Sequence, residues 1–116
     1  MEEQTLIQAL QELQQRVVGL GPWSSTNARE LGRINDQFLA AGCSLLKLVG
    51  RKPAGFIIQQ DDTTQEVGRA QASLGKKRSD LAFHEKYYVK AKRHLTDEIP
   101  EIIAAYNRYK TLDSSQ

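Results

Sequence analysis

Hydrophobic residues recur at helical spacing in the first part of the chain. The first series is Leu6, Leu10, Leu13, Val17 and Leu20, with steps that alternate between four and three residues. This period is that of a narrow apolar face on an α-helix. Thr5 and Gln8 have the spacing of a capping box, and Gly21-Pro22 ends the run. The pattern predicts a first helix that packs against a partner helix.

A second series has the same period. It consists of Leu31, Ile34, Phe38, Ala41, Leu45 and Leu48. Asn27 is placed to cap this helix, with Glu30 at the reciprocal position. Gly50, followed by Pro53, ends it. The connection after it contains Phe56-Ile57-Ile58, and nothing else in the chain resembles a strand that could pair with this run. We therefore interpret it as a loop anchor or as the lead-in to the next helix.

A third helix is predicted to begin at Thr63, which has capping-box spacing with Glu66. Its apolar positions are Val67, Ala70, Leu74, Leu81, Tyr88 and Leu95. Their regularity favours one long helix over 64–95. In the alternative, Gly75 ends one helix and Ser79 or Asp80 caps the next.

A final helix is predicted from apolar residues on one side: Ile99, Ile102, Ile103, Tyr106 and Tyr109. Thr96-Asp97-Glu98 supplies its N-terminal cap, and Pro100 fits only near its start or at a kink. Four helical runs without a strand partner predict an all-α fold. We expect a small helical bundle of about four helices, one of them long, in a single domain over residues 1–116.

Composition narrows the class of protein. The chain has 116 residues, of which 40% are hydrophobic and 26% charged, values typical of a soluble globular domain. Its apolar runs are too short for a membrane-spanning helix, and its N-terminal segment is too polar for a secretory signal. Cys43, the single cysteine, cannot form an internal disulfide or a zinc site alone. We therefore expect a cytoplasmic protein without a membrane role.

Positive charge is concentrated in one segment. Residues 69–95 contain eight basic residues and two acidic ones, a net of +6 in a chain whose formal net charge is +2. On a helical projection, basic and aromatic side chains share the side opposite the apolar face: Phe83, Lys86, Tyr87, Lys90, Arg93 and His94, joined by Lys76 and Arg69 if the helix is continuous. Such a field attracts a polyanion or an acidic protein surface.

These six residues, together with Lys76, are our candidate nucleic-acid-binding site. Lysine and arginine contact phosphates, while exposed Phe83 and Tyr87 would stack on unpaired bases, which favours RNA or single-stranded DNA. The expected function is a non-enzymatic accessory subunit of a ribonucleoprotein-type assembly. In size, class and charge the chain is similar to the small all-helical subunits of CRISPR ribonucleoprotein effectors. The alternative is a protein–protein adaptor or self-assembling module, and the surplus of apolar faces favours a protein partner or homo-oligomer under either hypothesis.

Other candidate sites are weaker, and we expect neither catalysis nor a cofactor. Arg78 and His84 resemble the Arg–His signature of HEPN ribonucleases, but six helical positions span about 240° and separate the two side chains. Asp61-Asp62 has no companion with metal-ligand spacing, and Cys43 has no neighbouring base. Trp23 is interpreted as a staple at a helix corner.

Overall fold

The protein consists of helices, as the hydrophobic spacing predicts. The computed structural model describes residues 2–72 and 81–114, with the backbone alone at 71–72, 81–84 and 113–114. The helices are α1 (Glu2–Val18), α2 (Ser25–Leu48), α3 (Ala54–Gln59), α4 (Asp61–Ala72) and α5 (Leu81–Ser114). No strand occurs in the described ranges. The all-α prediction is confirmed, and the short α3 is added to the expected helices.

Helix α1 buries the apolar face that its sequence predicts. Leu10, Leu13 and Val17 are buried, and Leu6 and Leu20 are half-buried at its two ends. The predicted capping box at Thr5 is wrong because the helix already begins at Glu2. Glu2 and Glu3 lie in the first turn, where carboxylates interact favourably with the helix dipole.

The N-cap of helix α2 lies three residues before the predicted cap, Asn27. Ser24 is the N-cap, and its Oγ accepts a hydrogen bond from the Asn27 N–H at 3.0 Å. The Asn27 side chain instead donates to the Pro22 carbonyl at 2.8 Å and so braces the corner that precedes the helix. The helix ends before Gly50, whose φ of +69° is the left-handed conformation that favours glycine.

The Phe56-Ile57-Ile58 run forms most of α3. Phe56 is buried, and its ring meets that of Phe38 edge to face with centroids 5.5 Å apart. The same ring lies over Gly42 of α2. Ile57 and Ile58 are 50% and 74% exposed. The run is therefore attached to the core by Phe56 alone, and its two isoleucines lie on the surface.

Helices α4 and α5 run antiparallel, so the predicted single helix over 64–95 is wrong. The Arg69 guanidinium carbon lies 5.0 Å from the centroid of the Tyr87 ring, and Lys90 Nζ lies 3.4 Å from Glu66. In one continuous helix, residues 69 and 87 would be about 27 Å apart. The alternative of two helices is correct, although its proposed caps at Ser79 or Asp80 lie outside the described residues. The Thr63 capping box is also wrong, since α4 begins at Asp61.

Helix α5 continues through the position at which a new helix was expected. Thr96, Asp97 and Pro100 all lie inside it. Proline has no N–H to donate to the carbonyl four residues earlier, which belongs to Thr96. Gln14 of α1 donates its Nε2 to that carbonyl at 3.1 Å. A side chain from another helix thus replaces the missing backbone hydrogen bond.

The four longer helices alternate in direction, as in an up-and-down bundle. Lys110 near the end of α5 pairs with Glu3 near the start of α1 at 2.8 Å, so these two helices are antiparallel. Arg16 of α1 pairs with Glu30 of α2, and Asn35 of α2 donates to Thr64 of α4. Among the described residues, no helix is both long and apolar enough to cross a membrane.

Candidate nucleic-acid interface

Three of the predicted basic residues line one cleft on the surface of α5. The cleft has a volume of about 600 Å³ and is lined by Pro22, Trp23, Glu85, Lys86, Val89, Lys90 and Arg93. The basic residues follow the i, i+4, i+7 spacing of one helix face. Lys86 and Arg93 are therefore about 10 Å apart along the helix axis. The structure thus brings together Lys86, Lys90 and Arg93 from the candidate site.

The cleft has a net positive charge. Lys86 and Arg93 are exposed, and neither has a carboxylate within ion-pair distance among the side chains that the structure describes. Lys90 pairs with Glu66 at 3.4 Å while its side chain stays 53% exposed. Glu85 is the acidic residue of the lining. Three cations against Glu85 in the lining and Glu66 beside Lys90 still leave a net positive charge, which attracts an anion.

Tyr87 and His94 lie against α4 instead of in the cleft. Tyr87 is half-buried beneath the Arg69 guanidinium, an arrangement that stabilises both side chains through a cation–π contact. His94 Nδ1 lies 3.1 Å from Glu66 Oε2 and 3.4 Å from Thr63 Oγ1. The distance to Glu66 is that of an ion pair, but this carboxylate oxygen has no aligned hydrogen bond among the described groups. The expected single exposed face of basic and aromatic residues is therefore divided between two surfaces.

Two members of the candidate site are not placed by the structure. Lys76 lies outside the described residues, as do Gly75 and Arg78. The backbone of Phe83 belongs to α5, but its side chain is not described. The predicted base-stacking role of Phe83 therefore stays a prediction.

Polar side chains line the contact between α4 and α5. Thr63 Oγ1 donates to Glu98 Oε1 at 3.1 Å, and the Gln60 amide nitrogen faces the same carboxylate when the amide is oriented to satisfy both groups. Burial raises the pKa of Glu98, an effect that the Thr63 hydrogen bond and the nearby His94 partly offset. These contacts join the first turn of α4 to Glu98 of α5, and Glu66 of α4 pairs with Lys90 one to two turns further along.

Sequence reasoning missed the apolar part of the cleft, formed by Pro22, Trp23 and Val89. Val89 is 51% exposed, and its place about 40° from Arg93 and about 60° from Lys86 on a helical projection was a signal in the sequence. Trp23 has no comparable signal, since it comes from the corner between α1 and α2. It packs against the core, as a staple would, and also lines the cleft.

Two hydrogen bonds hold that corner against α5. Tyr88 donates its hydroxyl to the Gly21 carbonyl at 2.8 Å, and Lys92 Nζ donates to the Leu20 carbonyl. Tyr88 is buried, and burial raises its pKa, so the hydroxyl keeps its proton near neutral pH. Trp23 is therefore positioned beside Val89 by the fold.

The remaining candidate chemistry is dispersed. The described residues contain no group of three or more His, Cys, Asp or Glu side chains placed to hold a metal ion. Burial raises the pKa of the Cys43 thiol, which keeps it protonated at neutral pH. Asp61 and Asp62 are exposed in the first turn of α4, where they interact with the helix dipole.

No protein-family model, curated protein or solved structure matches the chain. The function is therefore inferred from the cleft and its charges.

Proposed function

We propose that this chain is a non-enzymatic helical subunit that binds a nucleic-acid backbone, RNA or single-stranded DNA, within a larger ribonucleoprotein-type assembly. The observation that supports this proposal is the cleft on α5, where Lys86, Lys90 and Arg93 are aligned and outnumber the nearby carboxylates of Glu85 and Glu66. With one cysteine and no internal disulfide, a cytoplasmic location fits such a subunit.

The spacing of the cations suits a phosphate backbone. Lys86 and Arg93 span about 10 Å along the helix, and phosphates follow one another at about 3.4 Å of axial rise in a helical strand. Long, flexible side chains at these positions reach about three successive phosphates. Arginine and lysine release condensed counterions when they bind phosphates, which makes the affinity depend on salt.

The test is fluorescence anisotropy with a labelled single-stranded oligonucleotide of RNA or DNA across a salt series. Three phosphate contacts give an expected slope of log K against log salt of about −2 for a single strand. The double variant Lys86→Glu/Arg93→Glu should lose binding at low salt. Absence of binding by the unmodified protein at low salt would overturn the proposal.

A matched control separates the cleft from overall charge. Lys47 and Lys52 are exposed and lie outside the cleft. The variant Lys47→Glu/Lys52→Glu changes the net charge by the same amount as the cleft variant, and it should retain most of the affinity. Equal losses in the two variants would mean that binding follows net charge and that the cleft is not the site.

A second candidate function is a protein–protein adaptor without a nucleic-acid role. The observation that favours it is the pair of exposed isoleucines on α3, Ile57 and Ile58, since adjacent exposed apolar side chains are typical of contact surfaces. Under this hypothesis, Ile58→Asp alters assembly in sedimentation velocity, whereas Lys86→Glu/Arg93→Glu leaves it unchanged. An assembly state that Ile58→Asp leaves unchanged would contradict the adaptor hypothesis.

A further inference from the structure

The cleft that carries the cations also has an apolar side. Pro22, Trp23 and Val89 line it together with Lys86 and Arg93. The Trp23 Nε1 atom is buried and has no hydrogen-bond partner among the described groups, so the indole offers carbon atoms rather than a donor to a ligand. A site that only collected phosphates would need no apolar lining.

The corner that carries Trp23 is held in place without a ligand. The hydrogen bonds from Tyr88 to the Gly21 carbonyl and from Lys92 to the Leu20 carbonyl attach both residues before Pro22 to α5. A preformed apolar surface beside fixed cations binds with little ordering cost.

We infer that the cleft accepts one unpaired nucleobase of a bound strand, in contact with Trp23 and Val89, while the flanking phosphates contact Lys86 and Arg93. This inference rests on the proposed function and specifies that the bound strand is unpaired at the cleft. A volume of about 600 Å³ lies within the range of clefts that hold small organic ligands. The flat faces of a base are apolar and accessible only where the strand is unpaired, whereas a duplex conceals them by stacking.

The chain contains a single tryptophan, so its fluorescence reports on this cleft alone. Three probes are titrated at low salt: an eight-nucleotide oligouridine strand, a strand of the same length with abasic sites throughout, and a duplex of the same length. We expect oligouridine to change the Trp23 emission and to bind about 5- to 150-fold more tightly than the abasic strand, the range for contact with one base.

The outcomes separate this inference from the proposed function. If oligouridine and the abasic strand bind equally and leave the Trp23 emission unchanged, the base inference is wrong and backbone binding stands. If no strand binds, both are wrong. A synthetic acidic helical peptide of Glu and Leu residues is a fourth probe, and an emission change with the peptide and with no strand would overturn both in favour of a protein ligand.

A pair of valine variants tests the position of the base. Val89→Ser makes the cleft polar at an exposed helix position, and Val18→Ser makes the same change at an exposed position of α1 outside the cleft. Val89→Ser should abolish the preference for oligouridine over the abasic strand without weakening the abasic complex. Val18→Ser should leave both affinities unchanged. A preference that survives Val89→Ser would contradict the inference.

Discussion

Two glycines inside helices should respond oppositely to the same substitution. Glycine in a helix interior costs about 1 kcal/mol relative to alanine, so Gly→Ala is expected to stabilise a helix where the methyl group has room. At Gly68 of α4, no atom of the described residues lies within 4 Å of the position that a Cβ would occupy, apart from the chain neighbours and the helix's own backbone. We therefore expect Gly68→Ala to raise the free energy of unfolding by up to about 1 kcal/mol.

At Gly42 of α2, the same methyl group meets the Phe56 ring. A Cβ there would lie 2.6 Å from Phe56 Cζ and 2.8 Å from Phe56 Cε1. Overpacking of this kind costs about 1–3 kcal/mol, which cancels or exceeds the gain of about 1 kcal/mol from helix propensity. Gly42→Ala should therefore leave the free energy of unfolding unchanged or lower it by up to about 2 kcal/mol.

The assay is urea denaturation followed by circular dichroism, with the same slope expected for both variants and the unmodified protein. The double variant Gly42→Ala/Phe56→Leu supplies the control, because a shorter side chain at 56 removes the clash and should restore part of the helix gain relative to Phe56→Leu alone. If Gly42→Ala stabilised the protein as much as Gly68→Ala, then Phe56 would not lie over Gly42 and the docking of α3 on α2 would be wrong.

Two further predictions concern polar contacts of α5. Gln14→Ala should lower the free energy of unfolding by about 0.5–1.5 kcal/mol, because the Thr96 carbonyl loses its hydrogen-bond donor. This loss should be smaller in a Pro100→Ala background, where the backbone N–H of residue 100 is restored. Equal losses in the two backgrounds, measured by urea denaturation, would show that Gln14 does not compensate for Pro100. Burial raises the folded-state pKa of Glu98, so its contribution to stability is present below the unfolded pKa and is lost as the pH rises through the folded pKa. Relative to the unmodified protein, Glu98→Gln should therefore gain stability between pH 4 and pH 7, and a constant difference across that range would show that Glu98 titrates normally.

Much of the fold could be predicted because the hydrophobic spacing is local. The faces of α1 and α2 require only the period of their leucines, and Leu10, Leu31 and Ile34 are buried as that period predicts. The wrong predictions concern where the helices begin and end and whether a helix is continuous. Ser24, rather than Asn27, caps α2, and α5 runs through Pro100 because Gln14 satisfies the carbonyl that proline leaves unpaired. Such a contact between residues 14 and 96 has no signature in either local sequence.

The candidate site likewise has a part that the sequence predicts and a part that only the tertiary structure decides. Helical periodicity alone placed Lys86, Lys90 and Arg93 on one face, since a 3.6-residue repeat fixes which side chains share a side. Periodicity also grouped Tyr87 and His94 with them, but the antiparallel packing of α4 covers these two with Arg69 and Glu66. The addition of Trp23 to the cleft was likewise decided by tertiary structure, through two hydrogen bonds that attach a distant corner to α5. Sequence determined which side chains a helix presents together, and only the packing of other helices decided which of them remain available to a ligand.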